Sequence, residues 1–161
     1  MTTASHRLSI LSAGEIDDIF GLPNFSEDDR RLYFDLSTDE HKVVAAIRTT
    51  SVAVNLILQL GYFKARRQFF VFELTDVFED LRYASAMHFP SINLASIKPL
   101  SKPTRLEQQA TILKLFDYRL CDSANKVLLE NKATRIATVS THPAYILRES
   151  LQYLANQRLV S

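Results

Sequence analysis

The residue types that could carry catalysis are thinly spread along this sequence. Its four histidines, His6, His41, His88 and His142, form no pair at zinc-binding spacing. The carboxylate pairs Asp17-Asp18 and Glu79-Asp80 fall in helix-patterned stretches, where adjacent side chains point in different directions and read as solvated faces. Cys121 is the single cysteine; it can form no internal disulfide and reads as a small buried residue. With only three glycines there is no loop to cradle phosphate. Neither a metal nor a cofactor is expected, and no catalysis.

Cations and amides are more informative. Lys64, Arg66 and Arg67 end a long apolar run, and Lys102, Arg105, Gln108, Gln109 and Arg119 follow a proline-bearing stretch. Guanidinium, ammonium and amide groups are what contact phosphates and purine edges. Arg105 and Gln109 lie at i and i+4, on the same side as Ile112 and Phe116. Such long side chains either cover a core edge with their stems or face a groove, and the spacing leaves both open. The net charge of +1 is segregated. Residues 1–40 carry three basic and nine acidic side chains, a net −6, whereas residues 41–70 carry five basic and no acidic ones. Residues 71–90 are net −3 and residues 91–161 net +5. Segregation of this kind points to a polyanionic partner for the basic segments.

These groups have to be positioned by the stretch Thr50–Arg67, TSVAVNLILQLGYFKARR. Ser51, Asn55 and Gln59 are each four residues apart, one narrow polar stripe on a helix otherwise apolar all round. Such a helix needs neighbours on most of its surface, which predicts a central, buried helix. Its terminal cations suit the negative end of the helix dipole as well as a phosphate. Before it, Ser12-Ala-Gly-Glu15 is a capping box opening a short helix with Ile16, Ile19 and Phe20 inward. A second helix follows Ser26 with Leu32, Tyr33 and Leu36 inward, its acids Glu27, Asp28 and Asp29 in the first turn. A third starts after Ser37 or Thr38 and breaks around Arg48-Thr49-Thr50. Two helices joined by so short a turn make a helix-turn-helix-like corner.

After it, Gln68–Phe72 reads as a short strand or an extended connector. Thr75 is the expected cap of a helix reaching Met87, and Pro90–Pro103 the expected linker. Thr104-Arg-Leu-Glu107 reads as a second capping box, with Leu106, Ala110, Leu113 and Phe116 as a core face. Helices from about Asp122 to Thr138 and after Thr141-His142-Pro143 complete the chain, the latter with Leu147, Leu151 and Leu154 at helical spacing.

The fold class expected is all-α: a multi-helix bundle, as one region over 1–161 or as two lobes, 1–90 and 100–161. A chain of 161 residues, 47% hydrophobic, can bury one real core or two small ones. The start MTTASHRLSIL lacks the pattern of a signal peptide, and no apolar run reaches the roughly 20 residues needed to span a bilayer. A soluble intracellular protein, without a membrane partner, is the expectation.

The order of several short motifs adds a family. Leu11-Ser12 with Leu22-Pro23, Leu36-Ser-Thr-Asp-Glu40, Ile47-Arg48, Leu56 through Gln59-Leu60-Gly61-Tyr62, and Phe69-Phe70 come first. Thr104-Arg105, Tyr118-Arg119 and the closing Leu151-Gln-Tyr-Leu-Ala-Asn-Gln-Arg158-Leu-Val follow. In this order they resemble the N-terminal domain of Tn-three-family replicative transposases, over nearly the whole chain. The resemblance implies a helical region that binds the double-stranded DNA of transposon terminal inverted repeats, in the bacterial cytoplasm and at the nucleoid when bound. The family's acidic catalytic triad lies in a C-terminal domain that 161 residues cannot contain, so an isolated or truncated, non-catalytic piece is expected. The alternative is a helical interaction domain that assembles transposase subunits. Relatives carry an Arg-rich turn before the central helix; here the turn is Arg48-Thr49-Thr50, which shifts the expected contact toward Lys64, Arg66 and Arg67.

Overall fold

The computed structural model describes residues 11–160, so His6 and most of the opening stretch lie outside the described residues. The elements run α1 (Ala13–Phe20), α2 (Glu27–Tyr33), α3 (Thr38–Ala45), α4 (Thr50–Arg66), α5 (Phe78–His88), α6 (Lys102–Phe116), β1 (Arg119–Leu120), α7 (Ser123–Ala137), α8 (Pro143–Asn156) and β2 (Leu159–Val160). β1 and β2 form a two-stranded sheet, and the described residues are otherwise helical or irregular, as expected. None of the described helices is long and apolar enough to cross a membrane.

Contacts divide the chain into two compact units. Among the described residues, the larger holds Pro23–Arg119 with Val160, and the smaller joins 11–22 to Leu120–Leu159. The Pro90–Pro103 stretch, expected to separate lobes, therefore lies inside the larger unit. Its Ile97 is buried, and the Lys98 carbonyl accepts from Asn55 Nδ2 at 3.0 Å. Prolines there shape a tethered connector, not a boundary.

In the larger unit α4 is the axis: every residue from Ala53 to Phe63 is buried. Phe34, Leu36, Val44, Leu81, Ala84, Ile97 and Ile112 supply the buried apolar cover from the surrounding segments. Phe34 lies against Gly61, where a methyl group would overlap its ring. The Gln68–Phe72 run is an extended connector without ladder pairing; Phe69 stacks on Phe63, and Phe70 and Phe72 meet the Tyr62 ring edge-on. Tyr62 donates to Asp80 Oδ2 at 2.5 Å, and Arg30 Nε holds Asp80 Oδ1 at 2.7 Å. Burial first, then the Asp80 carboxylate, pushes the Tyr62 phenol well above its usual range.

The acidic N-terminal helices are capped as their sequences predict. Ser12 with Glu15, Ser26 with Asp29 and Ser37 with Glu40 all form reciprocal capping boxes. Three interior assignments change. Leu32 points outward, and Phe34, just past α2, takes the core position instead. α5 begins at Phe78 with Val77 as its cap residue, because 74–77 form a turn that leaves Thr75 outside the helix. α6 begins at Lys102, two residues before Thr104, capped by Ser101 with Pro103 in the first turn, where a missing N–H costs nothing. Its buried residues are Gln108 and Ile112, and Leu106 is exposed.

The smaller unit packs α8 against α7 and α1. Its buried apolar residues are Ile19, Ile136, Ala144, Leu154 and Leu159. Ile16 and Phe20, expected inward on α1, are each 46% exposed. Polar contacts join the same helices: Arg148 reaches Asp18 at 3.6 Å and His142 reaches Glu15 at 3.5 Å.

Candidate nucleic-acid interface

The polar stripe of α4 explains how one end of the larger unit is assembled. Ser51 Oγ accepts from the Lys98 backbone N–H at 2.9 Å, and Asn55 Nδ2 donates to the Ser51 and Lys98 carbonyls at 2.9 and 3.0 Å. Gln59 Nε2 donates to Gln108 Oε1 at 2.5 Å, and Gln108 Nε2 donates to the Val52 carbonyl at 3.0 Å. Buried amides need such partners, and here they bind the connector and α6 to α4. Gln108, expected at DNA, is therefore structural. It fills the α6 core position opposite an amide, which is why the buried face is not the expected Leu106, Ala110 and Leu113.

This network brings the N-termini of α4 and α6 to one cleft of about 350 Å³. Thr49, Ser51, Ser96, Lys98, Ser101 and Thr104 supply its polar walls. In contrast to α1, α2 and α3, neither α4 nor α6 has an acidic residue in its first turn. Thr49 makes no side-chain cap to α4. The dipoles of both helices thus add positive potential that no first-turn carboxylate offsets. Lys98 lines the cleft, and Arg48 and Lys102, both exposed, are the chain neighbours of cleft residues Thr49 and Ser101. Arg105, half-buried one turn into α6, lines the adjoining cavity. Among the described residues, none of these four side chains has an ion pair or a side-chain hydrogen bond. Gln109 is half-buried on the same helix. Such a cleft can bind a phosphate by backbone N–H groups, hydroxyls and cations together.

The cations at the other end of α4, about 25 Å away for a 17-residue helix, are employed differently. Lys64, 16% exposed, donates to the Asp35 carbonyl at 2.6 Å and pairs with Glu40 Oε1 at 3.3 Å. Arg67 takes a left-handed backbone with φ 53° at the end of α4. Its guanidinium lies 5.2–5.5 Å from the ring centres of Phe63, Phe116 and Tyr118. Both were expected at DNA; both hold the fold together. Arg66 remains exposed there, as does Arg119 in β1. The corner from α3 into α4 exists, but a helix buried from Ala53 to Phe63 cannot lie in a groove as a recognition helix. Only its first turn is available.

Lys98, Ser51, Ser96 and Ser101 were not singled out for binding by their sequence. Lys98 sits in an irregular connector with no periodicity, and only the hydrogen bonds to α4 bring it beside Thr49. Among the described residues no group of three His, Cys, Asp or Glu could hold a metal ion.

No curated protein and no solved structure matches the chain. One family model does, over residues 10–161. The chain belongs to the DUF4158 family, described as a domain of unknown function.

Proposed function

We propose that this chain is a non-catalytic DNA-binding domain of a transposase, which takes the terminal inverted repeats of a transposon. The observation that carries this reading is the cleft where α4 and α6 begin, with two helix N-termini that carry no first-turn acid beside Arg48, Lys98, Lys102 and Arg105. The ordered motifs shared with Tn-three-family transposases support the choice of DNA. In this mode the cleft holds a backbone phosphate and fixes the register, while Arg105 and Gln109, one turn apart on α6, reach toward base edges.

A mobility-shift titration over a range of salt tests the reading. If roughly five phosphates are neutralised, log affinity falls against log salt with a slope of about −4 to −5. Inverted-repeat duplex should bind more tightly than random duplex at each salt concentration. Affinity that is flat in salt would overturn the proposal. The purified chain should also leave supercoiled plasmid uncut in the presence of magnesium.

A second reading, assembly of transposase subunits, draws on the smaller unit. There Val127, Leu128 and Val139 are more than half exposed, at 56%, 52% and 79%. Concentration-dependent self-association measured by light scattering, lost on Val127→Ser with Leu128→Ser, would favour it.

A further inference from the structure

Next to the phosphate cleft lies a smaller cavity of about 130 Å³, and the two share Pro99 and Leu100 as a common wall. Its polar walls are Asn55, Gln59, Glu73 and Arg105, and Phe70 and Phe72 line it as aromatic rings. The volume is of the order of the ~150 Å³ engineered cavity that accepts benzene, so one six-membered ring fits and a purine does not.

The orientation of the amides is dictated by the hydrogen-bond chain. The Val52 carbonyl can only accept, so Gln108 must turn its Nε2 to it and its Oε1 to Gln59. Gln59 must then donate with Nε2, which leaves its Oε1 as an acceptor that no donor of the described residues reaches. Gln59 is 4% exposed and this oxygen is closed to solvent, so it belongs to the packed interior and not to the cavity surface. Asn55 spends both amide hydrogens on the Ser51 and Lys98 carbonyls, and its Oδ1 is likewise an acceptor only. Glu73 contributes a carboxylate. The side chains lining the cavity therefore bring two acceptor groups, Asn55 Oδ1 and the Glu73 carboxylate, beside one donor, the Arg105 guanidinium. Its complement is a planar ring with an amino group on one side and a carbonyl on the other.

We infer that this cavity receives an unpaired cytosine whose own phosphate occupies the adjoining cleft. The inference rests on the DNA-binding reading above. The exocyclic amine of cytosine donates two hydrogens, the pairing that carboxylates and amide oxygens make with that base, and O2 accepts from Arg105. Phe70 and Phe72 supply the aromatic surface that an unstacked base loses on leaving the helix. Thymine lacks the amine and brings carbonyl oxygens to the acceptors; guanine is too large.

The test compares one duplex with the same duplex carrying a single bulged cytosine, thymine or guanine, a context in which the base is already unpaired. The cytosine bulge should bind the full chain roughly tenfold more tightly than the intact duplex, from one well-formed base contact. Thymine should give a smaller gain and guanine none. Val71→Trp, at an exposed residue on the cavity wall, should abolish the difference between bulged and intact duplex. Equal affinity for intact and cytosine-bulged duplex overturns the inference while leaving the DNA reading in place. Equal gains for all three bases overturn it too, since they report only the flexibility of bulged DNA. Failure to bind any duplex removes the proposed function and this inference with it. Deoxycytidine monophosphate presents the same base and phosphate; if it binds more tightly than the bulged duplex, the strand-borne source is overturned.

Discussion

At the C-terminal end of α4, Lys64 is spent on Asp35 and Glu40, and Arg67 lies among three aromatic rings. At the N-terminal end, Thr49 leaves its helix uncapped, and among the described residues Arg48, Lys98, Lys102 and Arg105 have no acidic partner. The run Lys64-Ala-Arg66-Arg67 is the denser cationic cluster in the sequence, yet two of its three cations are structural. What separates the ends is the availability of acceptors and rings nearby, not the number of charges. A cation already held by the fold would have to break that contact to reach a phosphate.

The largest effect should come from removing a held cation. Lys64→Met leaves Glu40, which is 5% exposed, without its ammonium, and unpairing a buried charge costs about 3 kcal/mol or more. Chemical denaturation should show the loss as a lower midpoint. DNA affinity of the folded fraction should not change. A Lys64→Met protein as stable as the parent would erase the distinction between the two ends.

Arg67→Ala should follow, with a loss of about 2 kcal/mol from a desolvated cation–π contact. Arg67→Lys should recover part of it, as an ammonium keeps the charge but not the flat stacking surface. Thermal melts of the three proteins check the ranking.

Thr49→Asp sharpens the contrast because its two effects have opposite signs. A capping carboxylate should stabilise α4 by roughly 0.5–1 kcal/mol. The same carboxylate should repel a phosphate from the cleft and weaken DNA binding. A stabilised variant with unaltered affinity would move the interface elsewhere. Lys98→Ala and Lys102→Ala should each flatten the salt slope by about one unit, with stability changed by less than about 0.5 kcal/mol.

The smallest effect concerns acid. The Ser12 backbone N–H holds the Glu15 carboxyl below its usual range, and the Ser26 backbone N–H does the same for Asp29. Groups with depressed folded values stabilise above their unfolded pKa, and the gain is lost as pH falls through the folded value. Fraying of α1 and α2 should therefore set in only below the ordinary carboxylate range. Hydrogen exchange at the first turns, followed between neutral and acidic pH, reads this without interference from the cleft.

Much of the fold was legible because it depends on local pattern. The apolar run from Val52 to Phe63 identified the central helix, and each Ser with an acid three residues later identified a helix start. The stripe of Ser51, Asn55 and Gln59 was visible too, but its partners were not. They lie on a connector and on α6, more than forty residues away, and periodicity does not encode such a pairing. That blindness produced the error on α6: an apolar core face was expected where an amide meets an amide. The residues expected at DNA divided along the same line. Thr49 lines the cleft, Arg48, Thr50 and Lys102 are chain neighbours of its lining residues, and Arg105 lines the adjoining cavity, because the stripe joins α4 to α6. Lys64, Arg67 and Gln108 were drawn by their chemistry alone, and that chemistry serves packing equally well.

The smaller unit is assembled from two distant stretches, and this sets a timetable for its making. α1 ends at Phe20, but its partner α8 begins only at Pro143. At the pace of a ribosome, about 5–20 residues per second, α1 waits roughly 6–25 s for that partner to be synthesised. The larger unit, Val160 apart, lies within this interval and has nearly all of its own core in hand by Arg119. A helix of eight residues is too short to hold its shape alone. Throughout the wait, Ile16, Ile19 and Phe20 belong to a nascent strand of chain open to chaperones, while the rest of the protein is already folding behind it.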